Sequence, residues 1–390
     1  MTAKSIIETS DRYLTGNYAR YPVAFVRGEG RHLFDDQGKS YLDMLAGLGV
    51  SCLGYGYPRL VEAIETQARA LIHASNLFYT EPGARLAEAL VERSFAERVF
   101  FCNSGAEANE AAIKMARRHH ADRKEIVSAF RSFHGRTLGA LAATGQPELQ
   151  EGFGPLPGGF RHVEYDNVEA LAEAVGPHTA AVLLEPVIGE GGVMVPHDGY
   201  LKAARKICDD AGALLIFDEV QCGWGRTGAL WAHEHIHVKP DILTAAKGLA
   251  GGLPIGAVLA TEHAAKTFVP GSHASTFGAN PVACAASLAV LEAFEDDGVL
   301  ENCRRVAGQL RARLDTLAEE RGDAVEARGR GLMQALVLKR PARPIVEAAL
   351  ERGVIVNATA GTVVRFLPPL TITADEVDEG IAMLSEALDA

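Results

Sequence analysis

The segment ALLIFDEV, residues 213–220, decides the fold class of this chain. It is an almost unbroken apolar run that ends in two acidic residues, Asp218 and Glu219. Similar runs occur on either side of it, AAVLLEPV at residues 180–187 and DILTAAKG at residues 241–248. Strands that are apolar throughout and separated by helical patterns are buried on both faces of a mainly parallel sheet. The sequence therefore predicts an α/β fold in which ligands bind beyond the carboxyl ends of the strands.

The pattern along the chain predicts two domains. Strands and helices alternate from about residue 98 to residue 261, within a large domain that we place at residues 46–283. Residues 284–390 begin with helix and continue with further strand candidates, which indicates a smaller α/β domain. Residues 1–45 contain short strand patterns typical of a β-meander, and we expect this segment to join the smaller domain. That domain would then be built from both ends of the chain.

Composition excludes several classes of partner. The chain has 390 residues and a formal net charge of −12, which argues against a nucleic acid or an anionic membrane as the main partner. Its six cysteines are scattered without a C-x-x-C pair, so we expect reduced thiols and no metal site. Residues 1–22 lack the apolar core of a signal peptide, and no apolar stretch reaches the length of a membrane span. These features favour a cytoplasmic protein.

The segment NSGAEANE, residues 103–110, predicts a helix that begins at Gly105 after a strand. Asn103 or Ser104 can cap it, and Glu107 stands three residues after Ser104, which is the spacing of a capping box. The free N–H groups at such a helix start suit a phosphate group. Taken alone, however, the motif is better explained as an ordinary capped helix.

Lys247, in the segment TAAKGLAGGLPIG, precedes its glycines instead of following them, so this is not a Walker phosphate loop. It lies about one βαβ unit after Asp218, so both residues can reach the same edge of the sheet. Alone, Asp218 could cap a turn and Lys247 could be a solvated loop residue. Together with an anion site at Ser104, they supply what pyridoxal phosphate requires: a lysine, an acid for the ring nitrogen and a phosphate site.

The chain resembles the class III, fold-type I aminotransferases that use pyridoxal phosphate. The resemblance runs over nearly the full length and is carried by the segments NSGAEANEAAIKMAR, SFHGRTLGALAATG, EPVIGEGGV, FDEVQCGWGRTG, PDILTAAKGL and PGSHASTFGANPVACA. It implies a large domain whose mainly parallel sheet is covered by helices, and a smaller α/β domain. It also implies a homodimer with shared active sites.

The resemblance implies which residues hold the cofactor. Lys247 would form a Schiff base with it and then move a proton, and Asp218 would keep the ring nitrogen protonated. Val220 and Phe133 would pack on the two faces of the ring, and Gln221 would lie near its 3-oxygen. The phosphate would be bound at the helix start and by a threonine of the partner subunit, through Ser104, Gly105, Ala106 and Thr276.

Two arginines in apolar surroundings indicate the substrates. A buried arginine needs an anionic partner, which is either a structural carboxylate or a substrate carboxylate. The resemblance implies that Arg136 binds the α-carboxylate of the donor or the side-chain carboxylate of 2-oxoglutarate, and that Arg365 binds the α-carboxylate of glutamate. Glu190 would neutralise Arg365 while the donor is bound. Tyr18 and Ser275 match positions that line the donor pocket.

Within this family the chain is most similar to enzymes that act on acetylornithine. This implies transfer of the δ-amino group of N2-acetylornithine to 2-oxoglutarate by a ping-pong mechanism, a reaction of arginine biosynthesis. Succinylornithine, ornithine, 4-aminobutyrate and N-succinyl-diaminopimelate are alternative donors, and Ile188, where relatives often carry glutamine, leaves the donor open. An aminomutase is a less favoured alternative. A binding protein without chemistry is disfavoured because Lys247 and Asp218 are intact.

Overall fold

The structure is a computed structural model, and it describes residues 2–389. Its strands are β1 Phe25–Glu29, β2 His32–Asp35, β3 Ser40–Asp43, β4 Arg98–Cys102, β5 Glu125–Ala129, β6 Phe160–Val163, β7 Thr179–Leu184, β8 Leu214–Asp218, β9 Ile242–Ala245, β10 Gly256–Ala260, β11 Ala324–Arg330, β12 Met333–Leu338, β13 Val354–Ile355, β14 Asn357–Thr359 and β15 Val363–Phe366. Its α-helices are α1 Ala3–Tyr13, α2 Ala46–Gly49, α3 Pro58–Ala70, α4 Glu81–Glu92, α5 Gly105–His119, α6 Leu138–Ala143, α7 Val168–Ala174, α8 Tyr200–Ala211, α9 Glu262–Ala265, α10 Pro281–Asp296, α11 Val299–Glu320, α12 Arg343–Arg352 and α13 Ala374–Leu388. Short 3-10 turns occur at Pro147–Leu149, Ala232–Ile236 and Lys247–Ala250.

The central sheet has seven strands in the order β4-β10-β9-β8-β7-β5-β6. All neighbours are parallel except β10, which runs antiparallel to β4 and β9. Every residue of β8 is buried, because alternate side chains point into two different cores. Leu214 and Ile216 pack with α5 on one face, and Leu215 and Phe217 pack with α7 and α8 on the other. The predicted α/β class, with a mainly parallel sheet covered by helices, is confirmed.

The carboxyl edge of this sheet collects the polar residues that follow the strands. β8 ends at Asp218, whose partner in the register of β9 is Thr244. Lys247 follows the end of β9 after one intervening residue, and Glu185 directly follows β7. Phe133 belongs to the segment between β5 and α6. The topology thus places residues that are far apart in the sequence around one edge.

Two smaller sheets lie outside the central one. β11, β12, β15 and β14 form an antiparallel sheet, in that order. β1, β2 and β3 form the expected meander, and β3 pairs in parallel with β13, so strands from both ends of the chain share one sheet. The domain bounds stay a prediction. The boundary at residue 283 falls inside α10, which packs against α3 and α4.

The structure also bears on disulfides, membrane spans and metal sites. All six cysteines are free and buried. In residues 2–389 no helix combines the length and the apolar character that crossing a bilayer demands. The same residues contain no group of three or more His, Cys, Asp or Glu side chains able to hold a metal ion.

Candidate active site

A cavity of about 460 Å³ opens at the carboxyl edge of the central sheet. Eight of the residues singled out from the sequence line it: Ser104, Gly105, Ala106, Phe133, Arg136, Asp218, Val220 and Lys247. A larger cavity of about 840 Å³ lies between α3, α4 and α10. Its Arg59 is already paired with the carboxylates of Glu292, Asp296 and Asp297. We therefore take the smaller cavity as the site of chemistry.

Lys247 begins a 3-10 turn directly beyond β9, with a left-handed backbone at φ 49°. Its side chain is half-buried because it faces the cavity, while the surrounding protein removes much of its water. This burial lowers the pKa of the Lys247 amine, and the carboxylates of Glu190 and Asp218 oppose the shift only in part. A lysine with a lowered pKa carries a larger neutral fraction, which is the nucleophilic and proton-accepting form.

Asp218 is buried and accepts three hydrogen bonds. Its Oδ2 accepts from the Asn109 side-chain amide and from Nδ1 of His134, both at 2.7 Å, and its Oδ1 accepts from the N–H of Val220 at 3.0 Å. The hydroxyl of Thr244 in turn donates to Oδ1 of Asn109 at 2.8 Å. Three donors thus hold both oxygens of this carboxylate in a fixed orientation at the cavity wall.

Asn109 and His134 hold the carboxylate of Asp218, although neither was predicted as a site residue. Asn109 lies four residues after Gly105, hence on the same face of α5, and helical spacing could have indicated it. His134 stands inside the quoted segment SFHGRT, directly after Phe133. Nothing in the local sequence shows that its ring reaches Asp218, 84 positions away.

The start of α5 differs in one detail from the predicted capping box. The hydroxyl of Ser104 accepts from the N–H of Glu107 at 3.2 Å, as expected of the cap. The Glu107 carboxylate, however, accepts from the N–H and the side-chain amide of Asn103, one residue before the cap. The reciprocal half of the box was therefore predicted wrongly, because the strand-to-helix turn brings Asn103 within reach of Glu107.

The helix start and Val220 approach each other closely. A Cβ atom placed on Gly105 would lie 2.7 and 2.9 Å from the two methyl groups of Val220. A side chain at position 105 would therefore push into the space between the helix N-terminus and the residue predicted to pack on the ring. This cradle, with the positive end of the helix dipole, fits a phosphate. With Lys247 and the buried Asp218 at the same cavity, the residues present fit pyridoxal phosphate.

Gly105→Ala tests this fit. We expect at least a tenfold weaker affinity for pyridoxal phosphate, because the added methyl group would displace Val220 or the phosphate. Titration of the apoenzyme with the cofactor, followed by absorbance, measures the affinity. The matched control is Gly176→Ala, where a Cβ meets nothing within 4 Å. Equal affinity in the two variants would contradict the assignment of the cradle.

Arg365 and Glu190 form the predicted ion pair. Nη1 of Arg365 lies 2.7 Å from Oε1 of Glu190, and the Arg365 side chain is fully buried. Its Nε also donates to Asn357 at 2.9 Å. Burial alone would raise the pKa of Glu190, but the charge and hydrogen bonds of Arg365 outweigh it and hold this pKa below its usual range. Glu190 is therefore ionised at neutral pH.

Gln221 lies within this pair. Its Oε1 accepts from Nη1 of Arg365 at 3.0 Å, and its Nε2 donates to Oε1 of Glu190 at 3.1 Å. The placement of Gln221 near the ring's 3-oxygen stays a prediction. In the structure, its amide connects the two charged side chains.

Besides the network of Arg365, Glu190 and Gln221, three predicted site residues do not line the cavity. Tyr18 is 68% exposed, and Ser275 and Thr276 line a neighbouring cavity of about 330 Å³. Asn103 belongs to the walls of both cavities. Ile188, which left the donor open, is fully buried in the apolar core beside Phe217, away from the cavity.

Comparison with known proteins identifies the family. The family model described as Aminotransferase class-III matches residues 13–388. The acetylornithine aminotransferase of Methanocaldococcus jannaschii is 48% identical over 395 residues, which covers 99% of this chain and 98% of that protein. A crystal structure of the ornithine aminotransferase from Toxoplasma gondii ME49 has a TM-score of 0.95 at 34% identity and covers 99% of this chain and 95% of that one. The acetylornithine aminotransferase structure from Elizabethkingia anophelis has a TM-score of 0.89 at 30% identity, with 100% of both chains covered. The chain therefore belongs to the class III aminotransferase family.

Proposed function

We propose that this enzyme transfers the δ-amino group of N2-acetylornithine to 2-oxoglutarate. Membership of the family makes it a pyridoxal-phosphate-dependent aminotransferase that takes an amino donor and a keto acid. The observation that carries the proposal is the buried Arg365–Glu190 pair near the cavity that contains Lys247. An arginine that can be paired or released suits an enzyme whose two substrates present different carboxylates. The relatives from M. jannaschii and E. anophelis are both named acetylornithine aminotransferases, which supports this donor.

The chemistry divides between the cofactor and the chain. Bound pyridoxal phosphate supplies a ring that accepts the electron pair left when the donor carbon loses its proton. Nζ of Lys247, with its lowered pKa, would hold the cofactor and would move the proton between the reacting carbon of the donor and C4′ of the cofactor. The Asp218 carboxylate, held by Asn109 and His134, would stabilise a protonated ring nitrogen. The N–H groups at the start of α5 would bind the phosphate.

Arg136 and Arg365 distinguish the two half-reactions. Arg136 lines the cavity and binds the α-carboxylate of the donor. In that step Glu190 neutralises Arg365, so the apolar middle of the donor does not face an unpaired charge. When glutamate or 2-oxoglutarate binds, its two carboxylates need two cations, and Arg365 leaves Glu190 to bind the second one.

Glu190→Ala tests this exchange. Arg365 would then stay unpaired in the donor step and free in the glutamate step. We expect the ratio of kcat/KM for glutamate to kcat/KM for N2-acetylornithine to rise about tenfold or more. Separate kinetics of the two half-reactions measure it. Glu326→Ala, which removes the exposed partner of Arg328 in the smaller sheet, is the control. An unchanged ratio in Glu190→Ala would rule out the exchange.

The donor is tested by steady-state kinetics with 2-oxoglutarate and a series of amino donors. We expect the highest kcat/KM for N2-acetylornithine, above N-succinylornithine, ornithine, N-succinyl-diaminopimelate and 4-aminobutyrate. The highest value for 4-aminobutyrate would refute the proposed donor. A requirement for one 2-oxoglutarate per turnover distinguishes this enzyme from an aminomutase.

We further propose that the active enzyme is a homodimer. Three consecutive apolar residues are exposed: Leu77 is 86% exposed, Phe78 is 69% exposed, and Tyr79 is fully exposed. Phe277, beside Thr276, is 57% exposed. Contiguous apolar surface of this kind is typical of an interface.

This apolar surface is connected to the segment that contains Thr276. The side-chain amide of Asn76 donates to the carbonyl oxygens of Ser275 and Gly278, both at 2.9 Å. A second copy that covers Leu77–Tyr79 would therefore also contact the segment at residues 275–278, as shared active sites require. Light scattering of the purified enzyme should give the mass of a dimer, and a fully active monomer would contradict the proposal.

A further inference from the structure

Glu185 is a buried carboxylate that the mechanism above does not use. It directly follows β7 and is 5% exposed. Its two oxygens contact two different loops: Oε1 accepts from the N–H of Phe133 at 2.9 Å, and Oε2 accepts from the N–H of Gly189 at 3.1 Å. Its own carbonyl oxygen accepts from the hydroxyl of Tyr165 at 2.9 Å, which fixes its backbone.

Each of these loops leads to one of the two proposed carboxylate sites. Three residues beyond Phe133 is Arg136, on the cavity wall. One residue beyond Gly189 is Glu190, the partner of Arg365. The hydroxyl of Thr359 also donates to the carbonyl oxygen of Glu190, so this loop contacts the smaller sheet that contains Arg365. Glu185 thus links the backbone before Arg136 to the backbone before Glu190 through hydrogen bonds to both.

The burial of this carboxylate is costly, which argues that its contacts matter. Burial, followed by the nearby Asp218 carboxylate, raises the pKa of Glu185 to about 7, against the opposing effects of His134 and the two N–H donors. The pKa of Glu185 is thus higher in the folded than in the unfolded chain. The free energy of unfolding therefore decreases as the pH rises from 4.5 to about 7, and above pH 7 the buried charged carboxylate destabilises the fold. A glutamine at position 185 would accept a hydrogen bond from one of the two loops without the cost of burying a charge.

We propose that Glu185 is a positioning residue that fixes the separation between Arg136 and the Glu190–Arg365 pair, and so sets the length of dicarboxylate that the site accepts. The inference rests on the proposed roles of Arg136 and Arg365 as the two carboxylate sites. A five-carbon dicarboxylate spans both sites when they are held apart rigidly. With the link loosened, the shorter aspartate is discriminated less strongly.

Glu185→Gln and Glu185→Asp test the proposal in the holoenzyme. Glutamine keeps the shape but offers only one acceptor oxygen, and aspartate keeps the charge but is one methylene too short to reach both N–H groups. We expect the ratio of kcat/KM for glutamate to that for aspartate to fall about tenfold in each variant, mainly through KM for glutamate. We expect hydrogen exchange at the amides of Phe133 and Gly189 to accelerate together.

The matched control is Glu110→Gln. The Glu110 carboxylate accepts from the N–H groups of Gly139 and Ala140, so it holds the helix after the Arg136 loop but does not touch Gly189. We expect unchanged discrimination between glutamate and aspartate in this variant. Melting temperatures of Glu185→Gln and the wild type at pH 8 should agree within about 3 °C, since the lost hydrogen bond is offset by the removed charge.

The outcomes separate this inference from the choice of donor. Both substrates of the test belong to the acceptor half-reaction, so a wild-type enzyme that rejects N2-acetylornithine would refute the donor while leaving this test valid. Faster amide exchange with unchanged discrimination in Glu185→Gln would overturn the inference. The same holds if Glu110→Gln relaxes discrimination as much as the Glu185 variants do. If Glu185→Gln does not fold, Glu185→Asp decides.

Discussion

Lys247→Ala should abolish multiple turnover, with a loss of about 10⁴-fold or more in kcat. The variant removes the amine that we propose anchors the cofactor and moves the proton, and proton transfer alone contributes about 10²- to 10⁴-fold. The fold should survive, because alanine fits the turn at residues 247–250 and removes a charge that burial disfavours. Kinetics with saturating cofactor and glutamate measure the effect.

The control for this variant is Lys206→Ala. Lys206 is an exposed lysine whose amine lies 2.6 Å from Asp210 on the outside of α8. It should keep wild-type turnover, since it is far from the cavity edge of the sheet. Sustained turnover in Lys247→Ala at more than about a hundredth of the wild-type rate would contradict the role of Lys247 in proton transfer.

Asp218→Asn should lower kcat by about 10²- to 10⁴-fold while leaving the fold intact. Asparagine keeps the shape of the side chain but removes the carboxylate that we propose faces the ring nitrogen. It also directs an amide toward the donors of Asn109 and His134. Loss of one member of a buried, hydrogen-bonded charge pair costs about 3–5 kcal/mol, which corresponds to that range of rates.

A carboxylate at the other edge of the same sheet provides the comparison for Asp218. Asp241 precedes β9 and accepts from the N–H of Leu215 and from Arg205. Asp241→Asn should lower the melting temperature but not the kcat of the folded fraction. Equal losses of kcat in the two variants, at equal folded fractions, would show that Asp218 acts through the fold alone.

The sequence predicts the sheet and the residues at its edge because that information is local. An apolar run that ends in an acidic residue, such as Leu214–Asp218, specifies a buried strand and a polar residue at its carboxyl end. The cap at Ser104 is equally local. Lys247 is predicted as a site residue only in combination with these two, because a lysine in a loop has no distinctive pattern of its own.

The contacts that support the site could not be predicted, because they join segments that are distant in the sequence. Glu185, Asn109 and His134 each bond to residues on another element of the chain. Their contacts depend on the register of the strands and on the rotation of α5 over the sheet. Position along the sequence does not encode either of these.

The resemblance to the family supplied residues that a single chain does not bring to the cavity. Tyr18 is exposed, and Thr276 lines a neighbouring cavity instead. The proposed second subunit would account for Thr276, since a dimer would place the partner's segment against the cavity. The roles of both residues therefore depend on the assembly as well as on the fold of one chain.

The claim that Lys247 is the covalent anchor of the cofactor is tested most directly by borohydride reduction of the holoenzyme and mass spectrometry of its peptides. We predict one reduced cofactor per chain, attached to the peptide that contains Lys247. We also predict that this label disappears when excess glutamate is added before the reduction, because the amino donor then displaces the lysine. Label on a different lysine, or label on Lys247 that glutamate does not displace, would contradict this account.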